Sequence, residues 1–143
     1  MTQFVTIPML RDHIGDRLSD VQLGGKPDLT WDDAELFSCM EAAARSYNSL
    51  PPCDVGRITD ASRLDATSDM FLDAAAANAL ERRVRSLSVN RVAFQAGGIE
   101  TDPDGIVIDG MLKLARMLRE KFTAEARAHK GTINMRACWG RVG

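Results

Sequence analysis

Apolar residues recur every three or four positions in four stretches of the chain, and this spacing places them on one face of an α-helix. The predicted helices cover about residues 8–18, 30–48, 67–87 and 109–130. The third contains an alanine run between Asp73 and Leu80, which favours helix formation and close packing. The pattern predicts a mainly α protein, a small bundle of about four helices.

Local signals mark the ends of the predicted helices. Thr30 is the predicted N-cap of the second helix, with Asp33 as the acidic partner three residues later. The pair Pro51-Pro52 is expected to end that helix, because proline cannot continue it. Gly131 is expected to end the fourth helix, since glycine favours the position just after a helix.

Residues 95–108 predict a short β-hairpin or turn, because glycine, proline and aspartate cluster between short apolar runs. Just before them, residues 88–94 fit either a continued third helix or a short strand. Asp102, Asp104 and Asp109 could offer oxygens to a calcium ion. The later ligands of a calcium loop are missing, so a turn is the preferred interpretation.

The last residues follow a different pattern, because apolar side chains alternate with polar or small ones from Ile133 to Trp139. A period of two is typical of an extended segment. We therefore expect a helical domain over residues 1–130 and an extended C-terminal docking tail over residues 131–143. Such a tail must lie on its own bundle, on a neighbour or on a partner. The expected partner-binding residues are Ile133, Asn134, Met135, Arg136 and Trp139.

Composition limits the possible functions. The chain has 143 residues, 45% of them apolar and 27% charged, which fits one globular domain. No stretch predicts a membrane span or a secretory leader. His13 and His129 lack a catalytic or ligand partner in sequence, and we interpret both as surface or capping residues. Catalytic, metal and cofactor motifs are likewise missing, so we expect neither an enzyme nor a cofactor.

Charge is divided unevenly along the chain. Residues 1–80 carry 6 basic and 13 acidic groups, and residues 81–143 carry 12 basic and 7 acidic groups. The halves therefore have net charges of −7 and +5. Either solvated helix faces compensate within one fold, or complementary flanks attract neighbouring copies. On the second interpretation the subunit interface includes Arg82, Arg83 and Arg85; otherwise these residues pair with the acidic second helix.

Segments spread over nearly the whole chain resemble the head–tail connector, or adaptor, proteins of tailed bacteriophages. The resemblance is a pattern of spaced segments, beginning at residues 10–12 and continuing through a Gly/Pro loop and the alanine-rich third helix. The quoted segments are Leu10-Arg11-Asp12, Trp31-Asp32-Asp33-Ala34-Glu35-Leu36, Ala43-Ala44-Arg45-Ser46-Tyr47-Asn48, Leu50-Pro51-Pro52, Ala96-Gly97-Gly98-Ile99, His129-Lys130, Ile133-Asn134 and Arg136 to Trp139-Gly140.

This resemblance implies a structural virion protein of the phage neck, assembled in the host cytoplasm. Copies would form a ring between the portal protein and a tail-side neck protein (a stopper or tail terminator). In such rings a C-terminal extension commonly docks onto the portal, and genome DNA passes through the lumen without sequence-specific binding. The alternative from the residues alone is a small helical DNA-binding or regulatory protein that uses the basic third and fourth helices.

Overall fold

The computed structural model describes residues 3–15, 31–95 and 103–139, and within them the chain is a helical bundle. Four α-helices follow in order: α1 (Ile7–Ile14), α2 (Asp33–Ser49), α3 (Met70–Gln95) and α4 (Pro103–Trp139). A single 3-10 turn, Ala61–Arg63, lies between α2 and α3. The predicted mainly α class and the number of helices are confirmed.

Capping side chains fix where the first two helices begin. The Thr6 hydroxyl accepts a hydrogen bond from Met9 N at 3.4 Å, and α1 ends at Gly15, whose φ of 82° closes the helix. At the start of α2 the Asp32 side chain accepts from Glu35 N at 2.7 Å, and Glu35 accepts from Asp32 N at 3.1 Å. This capping box replaces the predicted one, and Thr30 lies outside the described residues.

Helix α3 lies at the centre and packs against α4 and α2, and less extensively against α1. Its first turns are buried almost all round, because the alanine run lets neighbouring helices approach closely. The core residues of α2 are Leu36, Cys39, Met40, Ala43, Ala44 and Tyr47, and those of α4 include Ile108, Ala115, Phe122 and Ala126. Phe37 is half-buried and Ala34 is exposed.

The segment before α1 is tied to the segment before α3. Val5 N donates to Leu64 O and Ala66 N donates to Gln3 O, both at 2.8 Å. These bonds make one antiparallel bridge, between Phe4 and Asp65. Trp31 closes the other side of the bundle, where its indole N–H donates to Ala79 O at 3.1 Å.

The hairpin strand predicted within residues 95–108 is wrong. Pro103 to Ile108 belong to α4, so the apolar run 106–108 is helical and forms no hairpin strand; residues 96–102 lie outside the described part. The open alternative at residues 88–94 resolves as helix, because α3 continues to Gln95. Asp104 and Asp109 both fall on the backbone of α4, so they do not belong to a calcium-binding loop, and Asp102 lies outside the described residues.

The prediction of an extended C-terminal tail is also wrong. Helix α4 continues through Gly131 to Trp139, a length of 37 residues or about 55 Å. A continued helix satisfies its own backbone groups, whereas a lone extended segment leaves them without partners. Thr132 Oγ1 supports the continuation by donating to Ala128 O at 3.0 Å. We call residues 131–139 the outer segment; residues 140–143 lie outside the described part.

Candidate functional site

The predicted partner-binding residues lie on the outer segment and point in two directions. Ile133 is half-buried, and its side chain lies over Gly56. Met135 and Trp139 are 62% and 77% exposed. In a helix, residues two apart differ by about 200° and residues four apart by about 40°. Ile133 therefore faces the bundle, while Met135 and Trp139 project together on the other side.

Asn134 and Arg136 complete the predicted set, and both are exposed. Because the segment is helical, the five residues do not share one edge as an extended strand would require. What the structure brings together is an exposed apolar pair, Met135 and Trp139, and exposed Arg136 lies between them in sequence. This end of α4 therefore presents an apolar surface and one basic residue.

The apolar surface continues along α4 towards the bundle. Val107, Leu114 and Met117 are 48%, 43% and 60% exposed and lie on the same flank as Met135 and Trp139. Small exposed residues, Ala124 and Ala128, occupy this flank between them. The apolar spacing of the sequence does not by itself separate these exposed residues from the core face of α4. Steps of three and four fit two adjacent stripes on a helix this long.

A buried lysine fixes the position of the outer segment. Lys130 has no exposed surface, and its Nζ donates to Leu50 O at 2.6 Å and to Pro52 O at 3.4 Å. The ammonium also lies 4.7 Å from the centre of the Tyr47 ring. A charged group buried in this way requires such partners. Lys130 thus ties α4 to the carboxyl end of α2, just before the outer segment begins.

Tyr47 and His129 form a second tie at the same place. The Tyr47 hydroxyl lies 2.8 Å from His129 Nδ1, and the Tyr47 ring packs at 5.3 Å from that of Phe71. Burial raises the pKa of Tyr47, so its hydroxyl stays protonated at neutral pH. The predicted surface role of His129 is therefore incomplete, since one ring nitrogen bonds within the subunit. No sequence signal links residues 82 positions apart.

Asp73, on α3, connects that helix to α1 and to α4. It is 1% exposed and lies 2.8 Å from His13 Nε2 on α1 and 3.1 Å from Lys121 Nζ on α4. Hydrogen bonding to this carboxylate, and then its charge, raises the pKa of Lys121. Lys121 lies on the apolar flank of α4, but its charge is directed to Asp73. The sequence pattern placed Asp73 on the third helix but did not predict its contacts with His13 and Lys121.

The three predicted subunit-interface arginines lie on α3 and differ in exposure and in their contacts. Arg82 is half-buried, and it donates to Ser38 Oγ at 2.9 Å and to Glu35 O at 3.5 Å. Arg83 is half-buried and Arg85 is exposed. Arg82 therefore contacts α2 of its own subunit, through a hydroxyl and a carbonyl oxygen. Arg85 is the one most open to a neighbour.

An open groove of about 300 Å³ runs between α2 and residues 58–61; we call it the α2 groove. Its apolar surface comes from Phe37, Ala44 and Ile58, and its charged rim from Glu41, Arg45 and Asp60. Asn48 holds the far wall, since its amide donates to Ile58 O at 2.7 Å and its carbonyl oxygen accepts from Ile58 N at 2.8 Å. This groove was not predictable from the sequence, because its walls are an amphipathic helix and an irregular segment.

Residues 3–15, 31–95 and 103–139 hold no group of three or more His, Cys, Asp or Glu side chains arranged for a metal ion. None of the helices in these ranges is both long and apolar enough to span a bilayer.

Comparison with family models, with characterised proteins and with solved structures finds no significant match to this chain.

Proposed function

We propose that this chain is a structural protein of a tailed-phage neck, whose copies form a ring that joins the portal to the tail and lets the genome pass. The observation that carries the proposal is the outer segment: a rigid helical end with Met135 and Trp139 on its open side. Exposed large apolar side chains grouped on one surface are typical of a protein–protein contact.

The structure changes how such docking would work. An extended tail would order only on binding, and that ordering would oppose association. A helical outer segment is already ordered, because Lys130, His129 and Ile133 hold its base. It would bind as a helix laid into an apolar cleft, with Trp139 as the central contact.

The proposed partners are the portal protein, a tail-side neck protein and further copies of this chain. Three basic groups of α3 and α4 are used within the subunit, because Arg82 and Lys121 contact their own subunit and Arg119 pairs with Glu81 at 2.9 Å. Other exposed basic residues in the described part of these helices include Arg85, Lys113, Arg116, Arg127 and Arg136.

The test uses the full chain and the portal protein of the same genome, mixed and imaged by electron microscopy. We expect ring density on the portal, and we expect Met135→Ala/Trp139→Ala to remove it. Val89→Ala is the matched control, because Val89 is 70% exposed on α3 and away from the outer segment. If the double variant decorates the portal as fully as the unmodified chain, the outer segment does not serve this function. If the unmodified chain leaves the portal bare, the neck assignment is wrong.

A further inference from the structure

The α2 groove and the outer segment are complementary surfaces on one chain. The groove offers half-buried Phe37 and Ile58 in a space suited to one large side chain, and the outer segment offers Trp139. An aromatic side chain placed in a fitting pocket is the usual centre of a protein–protein contact.

Their charges are complementary as well. Asp60 on the groove rim already contacts Ser62 and Arg63. Glu41 and Arg136, in contrast, have no ion-pair partner within the described residues. Arg136 lies between Met135 and Trp139 in sequence, so it would reach the rim of a pocket that holds Trp139. Arg45 would face the negative end of helix α4.

The outer segment does not fill the groove of its own subunit. All residues that line the groove come from α2 and from positions 58–61, and Trp139 remains 77% exposed. Ile133 and Lys130 hold α4 near residues 50–56, just beyond the carboxyl end of α2. Among the described residues no segment other than its walls lines the groove, and a second copy supplies the required chemistry.

We propose that the outer segment of one copy docks in the α2 groove of the next, with Trp139 against Phe37 and Ile58 and with Arg136 paired to Glu41. This inference rests on the proposed ring and names the contact that builds it. Since the two surfaces lie on different elements, each copy can give one contact and receive another. Such head-to-tail contacts close into a ring when the rotation between copies allows it.

The size of the contact sets its strength. One aromatic side chain buries roughly 150–250 Å², whereas a stable interface buries about 800 Å² per partner. A single contact is therefore weak in solution. Ring closure, or a surface that gathers the copies, raises the local concentration that it needs.

Crosslinking tests the contact directly, because exposed Cys138 lies next to Trp139. The test chain carries Cys53→Ser, which removes the other exposed thiol, and Thr59→Cys on the groove rim. A short bismaleimide is added to concentrated protein. We expect a ladder of dimers, trimers and larger species, and we expect Trp139→Ala to abolish it. Arg85→Cys in place of Thr59→Cys is the control, and it should give no ladder.

Three results would overturn the inference. One is a ladder of equal yield from Thr59→Cys and Arg85→Cys. A second is dimers without larger species, which would indicate a reciprocal pair of copies. The third is a ladder that survives Trp139→Ala.

Charge reversal provides a second measurement that does not use crosslinkers. Glu41→Arg alone and Arg136→Glu alone should each abolish self-association in sedimentation velocity at high protein concentration. The combined variant should restore it, because the pair is reversed and not lost. Circular dichroism of each variant checks that the helices persist. Failure of the combined variant to recover would refute the pairing of Glu41 with Arg136.

The two proposals fail in different ways. A ladder without portal decoration would support the contact between copies and contradict the neck function. Portal decoration that depends on Trp139 but tolerates Glu41→Arg would place the outer segment on the portal, and it would overturn the contact proposed here.

Discussion

The two parts of α4, before and after Gly131, are held in different ways. Before Gly131 the helix packs on α3 and carries three cations that meet partners inside the molecule: Arg119 at Glu81, Lys121 at Asp73 and Lys130 at carbonyl oxygens. In the outer segment Ile133 is half-buried over Gly56, while Met135 and Trp139 face outward. The first part therefore contributes to stability and the second is open to association. Substitutions in the two parts should separate these properties.

The largest effect should come from Lys130→Ala. We expect it to lower the free energy of unfolding by about 3 kcal/mol, because it removes charged hydrogen bonds to Leu50 O and Pro52 O and leaves a cavity. Urea unfolding monitored by circular dichroism measures the change. Arg136→Ala is the matched control in the outer segment and should stay within about 0.5 kcal/mol of the unmodified chain. Equal effects of the two substitutions would erase the distinction between the parts.

Asp73→Asn should have the next largest effect. It keeps the shape of the side chain but removes the negative charge that His13 and Lys121 share. We expect a loss of about 2 kcal/mol, below that of a fully buried pair because Lys121 is half-exposed. The pKa of Lys121 should also fall towards its ordinary value, and nuclear magnetic resonance titration can follow it. An unchanged pKa would show that Asp73 does not act on Lys121.

A smaller effect of opposite sign is expected from Gly131→Ala. A Cβ at Gly131 would meet no atom within 4 Å, and alanine favours helix over glycine by about 1 kcal/mol. Hydrogen exchange of the backbone amides that follow residue 131 should become slower. Gly110→Ala offers the same open space in the first part of α4 and serves as the comparison. Faster exchange after Gly131→Ala would contradict a helical outer segment.

The smallest effect concerns pH. Hydrogen bonds from the Thr67 hydroxyl and backbone N–H hold the pKa of Asp65 below its usual 3.8, and His129 on α4 adds to the shift. Because the folded pKa is the lower one, this contribution is present above the unfolded pKa and is lost as pH falls through the folded pKa. The Tm should therefore fall more steeply below about pH 4 in the unmodified chain than in Asp65→Asn. Identical acid profiles would refute this contribution.

The sequence predicted the helices well because their apolar spacing is local information. It located α2 and the middle of α4, and it identified the alanine run that α3 uses at the centre of the bundle. The ties between helices were not predictable, since Tyr47 and His129, or His13 and Asp73, are brought together only by the fold.

The outer segment shows why a short pattern misleads. Alternation over Ile133, Met135, Ala137 and Trp139 fits a strand, yet a helix also places Ile133 opposite Met135. Backbone hydrogen bonds within the helix and the contact between Ile133 and Gly56 favour the helix over the strand. Three of the four exposed residues of the predicted site, Met135, Arg136 and Trp139, still lie close together, but because they are near one another on a helix.

The contact at Gly56 has a mechanical consequence. Gly56 has a φ of 64°, and a Cβ there would approach Tyr47 Oη to 3.2 Å and Ile133 Cδ1 to 3.3 Å. A bulkier loop residue would thus tilt α4 at the point where it leaves its support. Trp139 lies about 9 Å further along the axis, so a tilt of roughly 10° would move its backbone sideways by about 1.5 Å. The direction in which this helix aims its indole is thus adjustable from the loop that contains Gly56.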